Sequence, residues 1–97
     1  MNVRIQAIHF DIAEKLVSFI NKKAERLARH NVNIASVDVN LRVVKPETAM
    51  NKEVTMKVIV PQENDMVATK TADSFEEAVD ICIEALERQL EKAKAKK

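Results

Sequence analysis

The stretch from Asp73 to Lys97, DSFEEAVDICIEALERQLEKAKAKK, does most to limit what this chain can fold into. It predicts one long helix beginning near Ser74. Ser74 followed three residues later by Glu77 is a capping-box pattern, in which the two residues satisfy each other's orphaned backbone N–H groups. Phe75, Ala78, Val79, Cys82, Ile83, Leu86 and Leu90 recur at helical spacing and form one apolar stripe. Glu76, Glu77, Asp80, Glu84, Glu87 and Glu91 cover one flank, and Arg88, Lys92 and Lys96, at i, i+4 and i+8, cover the other. A helix with one apolar stripe needs something to pack on, so the preceding residues must supply it. Beyond Leu90 there is little to bury, and residues 91–97 are expected to form a flexible basic tail.

The preceding residues read as strands and a second helix. Asn2 to Ile8 alternates, with Val3, Ile5 and Ala7 on one side and Arg4 and Gln6 on the other. Asp11 with Glu14 resembles a second capping box, opening a helix from Ile12 to about His30 with Ile12, Leu16, Ile20, Ala24 and Leu27 on its apolar face. Asn31 stands where a left-handed terminator would be useful. Ile34 to Val44 is a strand with Val37, Val39, Leu41 and Val43 inward, and Pro46 ends it. A loop over Lys45 to Lys52 leads to a strand from Glu53 to Val60, with Val54, Met56, Val58 and Val60 inward. Pro61 to Asp65 is a turn. The chain has no glycine, so Asn64 or Asp65 is expected to supply any positive φ. Met66 to Thr71 is a short fourth strand.

The fold class is therefore α+β, in the order β-α-β-β-β-α. A right-handed helical crossover pairs the first two strands in parallel, and short connections make the remaining strands an antiparallel meander. Each strand has one apolar side, so both helices are expected on one face of a four-stranded sheet. The other face stays open, with Ile8 and Ile59 as its candidate exposed apolar residues. The 97 residues suit a single domain with one modest core.

Composition narrows the function. Apolar content of 46% and charged content of 32% exclude a disordered chain. One cysteine permits no internal disulfide, and no apolar run approaches a membrane span, so a cytoplasmic protein is expected. There is no glycine-rich phosphate loop, no Ser-His-Asp grouping and no metal-ligand cluster. His9 reads as a strand-end residue, His30 as a helix C-terminal residue, and Cys82 as a small buried side chain. No enzyme, cofactor or small-molecule substrate is indicated. A net charge of +1 does not mark a globally basic protein, yet the charges are segregated. Lys15, Lys22, Lys23, Arg26 and Arg29 cluster on the first helix, with Glu25 the only acid in that interval. Two such stripes on adjacent helices could merge into a phosphate-binding patch with little base specificity. The competing reading is a protein–protein module using the open sheet face.

At the last helix the residues resemble a known family. The run Asp73-Ser74-Phe75-Glu76-Glu77-Ala78-Val79-Asp80, then the box Leu86-Glu87-Arg88-Gln89-Leu90 followed by lysines, resembles the ribosome hibernation promoting factors, also called ribosome-associated inhibitors or sigma-54 modulation proteins. The likeness extends over the whole chain through the β-α-β-β-β-α order. Ala85 replaces a lysine common before the box, and Phe75 replaces a tyrosine. The resemblance implies a short-form bacterial factor without the additional C-terminal domain of long forms. It implies binding to the small ribosomal subunit and its rRNA, in the channel used by messenger and transfer RNA, and a block on translation under stress or in stationary phase. Carried over residue by residue, the rRNA-binding positions it implies are Lys23, Arg26 and Arg29 on the first helix and Arg88, Lys92 and Lys96 on the second.

Overall fold

A computed structural model describes residues 1–44 and 49–95, with side chains through residue 93. The elements are β1 (Asn2–Ala7), α1 (Glu14–Ala28), β2 (Ser36–Val43), β3 (Lys52–Ile59), β4 (Met66–Ala72) and α2 (Phe75–Ala95). The order is β-α-β-β-β-α, as expected. The strands form one four-stranded sheet in the order β1-β2-β3-β4. β1 pairs with β2 in parallel, Val3 opposite Val37 and Ile5 opposite Val39. β2, β3 and β4 form the antiparallel meander, with Val39 opposite Met56 and Met56 opposite Ala68.

The alternating apolar residues set the register, because a slip of one residue would turn every valine to water. Val37, Val39, Leu41, Val54, Met56 and Val58 are fully buried on one face. Both helices lie on that face, α2 across β3 and β4 and α1 beside α2 along β1. α1 contributes Ile20, Ala24 and Leu27 to the core, and α2 contributes Ala78, Val79, Cys82, Ile83, Leu86 and Leu90. Val43, expected inward, is 38% exposed because it sits at the end of β2, past the core.

The open face is a ladder of polar cross-strand pairs. Arg4 Nε lies 3.1 Å from Asp38 Oδ1, and Arg42 Nε lies 2.7 Å from Glu53 Oε1. The Thr55 and Thr69 hydroxyls lie 3.1 Å apart. All three pairs are directly opposite in register, the arrangement in which cross-strand contacts stabilise a sheet that faces water. Ile8 and Ile59 are half-buried rather than exposed.

The two helices start in different ways. Ser74 caps α2, its Oγ accepting from the Glu77 N–H at 3.1 Å while its carbonyl accepts from Ala78 N. The expected Asp11 cap does not form. α1 begins at Glu14 behind Ala13, which is extended and makes no side-chain cap bond. The segment between β1 and α1 is engaged over a longer range. Phe10 stacks on Phe75 with ring centres 5.1 Å apart, tying the start of α1 to the start of α2. α1 ends without a left-handed residue. Arg29 N and His30 N bond back to Arg26 O and Leu27 O, which tightens the last turn. Asn31 instead accepts from Asn33 N through its side chain at 2.8 Å, a local turn that redirects the chain.

Among the described residues, three non-glycine residues take positive φ: His9 at 64°, Met50 at 57° and Gln62 at 68°. In the β3–β4 turn the residue is Gln62, not Asn64 or Asp65. Met50 is held in place by Asp73, whose Oδ1 accepts its N–H at 2.8 Å. The expected loop over Lys45 to Lys52 lies partly outside the described residues, as does Pro46; its closing bond, Val44 N to Asn51 O at 2.8 Å, is present.

Candidate nucleic-acid interface

Topology places α1 and α2 side by side and parallel. β1 and β4 run in the same direction, and each helix runs back from the end of one of them. Charged pairs along the shared seam advance in step. The Lys23 ammonium is 3.1 Å from Asp80 Oδ1. One turn and more further on, Arg26 Nη2 donates to Glu87 Oε1 at 2.8 Å, and His30 Nε2 lies 2.9 Å from Glu87 Oε2. Glu87 is thus held through both oxygens by α1 and the turn that follows it, with its side chain only 19% exposed. Lys23 also lies 5.3 Å from the centre of the Phe19 ring, close enough for a cation–π contact. Its approach to Asp80 is not aligned for a hydrogen bond, and that water-shielded carboxylate oxygen accepts none.

These pairs divide the sequence-predicted cations into two groups. Lys23 and Arg26 sit in the seam and face carboxylates. Arg29 lies just past α1, exposed, and Arg88 and Lys92 are exposed on the outer side of α2. None of these three makes an ion pair among the described residues. Lys96 lies outside the described residues. Lys15 and Lys22, which the family resemblance does not single out, are also exposed and make no ion pair among the described residues. With Arg29 they form a row at seven-residue intervals, about 10 Å apart along the helix. The acidic flank of α2 is likewise not one solvated face, because Asp80 and Glu87 turn toward α1. The sequence held a signal for this. Lys23 on α1 and His30 just past its end, and Asp80 and Glu87 on α2, share the same seven-residue spacing, as expected of partners across a parallel helix pair.

At the far end of the seam, Arg29, Asn31, Asn33, Gln62, Val60 and Leu90 border an open groove of about 640 Å³. Its lining offers no hydroxyl or thiol nucleophile. Cys82 is elsewhere, fully buried under α2, its Sγ 3.4 Å from Val54 O. Burial pushes its thiol from 9.0 up to about 11, the Lys70 backbone hydrogen bond and charge pulling weakly the other way. A neutral thiol does not react. Native protein at pH 8 is therefore expected to resist iodoacetamide, and urea-unfolded protein to take up one label; labelling of the native form at the unfolded rate would contradict this. The unfolded thiol ionises first, so stability falls as pH rises from about 9 through about 11.

The sequence model for the sigma 54 modulation protein / S30EA ribosomal protein family matches residues 3–97. The chain belongs to that family. Among curated relatives, a ribosome hibernation promoting factor from Azotobacter vinelandii is 31% identical over 96 residues, covering 99% of this chain and 85% of the relative. Among solved structures, a ribosomal subunit interface protein from Coxiella burnetii superposes with a TM-score of 0.86 at 25% identity, covering 98% of this chain and 99% of that one. The N-terminal domain of Thermus thermophilus Protein Y shares the fold, with a TM-score of 0.81 at 18% identity over 95% of this chain and 98% of that one. Among the described residues no helix is long and apolar enough to cross a membrane.

Proposed function

We propose that this protein is a cytoplasmic ribosome hibernation factor. It binds the small ribosomal subunit in the channel used by messenger and transfer RNA, and blocks translation by occupying that space. The observation that carries the reading is the pair of exposed cation rows on the helix layer: Lys15 and Lys22 on α1 with Arg29 at its C-cap, and Arg88 and Lys92 on α2. Family membership supports a ribosomal partner, and ribosomal RNA is the polyanion we assign to such rows. Cations on rigid helices contact phosphates at fixed intervals and read shape rather than sequence. Segregation is what lets a chain of net charge +1 hold a polyanion.

The test is co-sedimentation with small subunits on a sucrose gradient at two salt concentrations. If four or five cations each neutralise a phosphate, affinity falls roughly 100-fold between about 50 and 200 mM salt. Binding that ignores salt would sink the reading. Ile59→Lys on the open sheet face is expected to leave binding unchanged; loss of binding in that variant would instead favour a protein–protein module.

A further inference from the structure

Arg26 lies one turn from Lys22 on α1 and from Arg29 at the helical C-cap, so its neighbours on that stripe are two exposed cations with no ion pair among the described residues. Residues three and four apart on a helix are about 5–6 Å apart at Cβ. An RNA backbone that follows Lys22 and Arg29 therefore passes over Arg26. Yet Arg26 is already engaged by Glu87, which His30 also holds.

We propose that Glu87 is an internal competitor for the anion this surface binds: its carboxylate occupies Arg26 in the free protein and yields it to an RNA phosphate on binding. The inference rests on the functional reading above and adds a limit on affinity to it. Chemical equivalence supports it. A guanidinium pairs with a carboxylate or a phosphate through the same fork of N–H donors. Access supports it too. The Arg26 side chain is 40% exposed while Glu87 is 19% exposed, so the cation is open to solvent and the carboxylate lies behind it. Only one Arg26 nitrogen is committed to Glu87, which leaves donors on the outer side for an incoming phosphate. The Glu87 charge then opposes the phosphate that those donors attract. Lys23 is placed differently. It is 27% exposed and also seated on the Phe19 ring, so it has less reason to leave Asp80.

Glu87→Gln keeps the side-chain shape and removes the charge. In co-sedimentation with small ribosomal subunits it is expected to bind roughly five-fold tighter than the unmodified protein, the scale of one partly exposed ion pair. Its salt dependence is expected to steepen by about one phosphate contact. In the Glu87→Gln background, Arg26→Gln removes that gain. With Glu87 intact, Arg26→Gln uncovers the Glu87 carboxylate and costs several-fold, and the double variant Arg26→Gln/Glu87→Gln recovers roughly the affinity of the unmodified protein. A merely structural staple predicts the opposite pattern: Glu87→Gln lowers the melting temperature while affinity and salt slope stay the same or fall, and that result overturns the proposal. Should Glu87→Gln fail to fold, Glu87→Ala takes its place, and the absence of any gain in affinity or salt slope in that variant overturns the idea. Failure of the unmodified protein to sediment with small subunits would refute the functional reading itself, whereas binding without a Glu87→Gln gain refutes only this inference.

Discussion

Reversing Arg88 and Lys92 to glutamate is expected to remove ribosome association almost completely while leaving the fold in place. Both side chains are exposed on the outer side of α2 and hold no ion pair among the described residues. Losing two phosphate contacts costs roughly 15- to 30-fold at about 0.15 M salt through counterion release alone. The new carboxylates then repel the RNA backbone, which takes the loss to roughly a hundred-fold. The reversal also places like charges at i, i+4 with Glu84 and beside Glu91, near a helix C-terminus where anions are unfavourable. A modest fall in melting temperature is expected from that source. The neutral variant Arg88→Gln/Lys92→Gln separates the two effects: it should melt like the unmodified protein, show the roughly 15- to 30-fold loss, and have a salt slope shallower by about 1.5. Undiminished binding in the charge-reversed protein would mean that α2 does not face the RNA. The seam cations make a useful contrast, because Lys23 and Arg26 begin the process neutralised by Asp80 and Glu87.

How far the sequence could be read depends on whether each signal is local. The strands were legible because Val37, Val39, Leu41, Val54, Met56 and Val58 repeat at period two, and burial follows period directly. The Ser74 cap was legible because its partner, the Glu77 N–H, is three residues away. The Asp11 cap was a false signal of the same kind. α1 instead begins behind Ala13, and the segment before it is engaged by a contact between residues far apart in sequence, Phe10 on Phe75, which no local pattern reports. Without glycine, the positive-φ positions among the described residues fell to His9, Met50 and Gln62, none of them marked by type; Met50 owes its place to Asp73, which is distant in sequence. The charged helix faces show the same limit at the candidate site. A helical wheel separates acids from bases on each helix, but it does not say which flank meets the neighbour. Only the parallel packing of α1 and α2 reveals that Asp80 and Glu87 meet Lys23, Arg26 and His30.

The same dependence on packing makes Leu86 the residue whose loss is expected to cost the most stability. Leu86→Ala removes a fully buried side chain where α2 meets the sheet. Large-to-small changes at such sites cost about 2–5 kcal/mol, the spread reflecting how far the cavity closes. A domain of this length has roughly 5–15 kcal/mol to lose. A cost near about 3 kcal/mol would lower the melting temperature by roughly 12–24 °C. In urea the midpoint should fall with the slope unchanged, since the surface exposed on unfolding hardly alters. The binding consequence follows from what α2 carries. Arg88 is two residues beyond Leu86 and Lys92 two beyond Leu90, so the apolar stripe that anchors the helix also fixes where its cations point. Well below its melting temperature the variant should bind small subunits with an unchanged salt slope, because the cations are the same and α2 is still docked. Near melting, binding and fold should be lost together. A shallower slope at low temperature would show that α2 shifts on the sheet when Leu86 is cut back, and that the cation rows depend on core packing even in the folded protein.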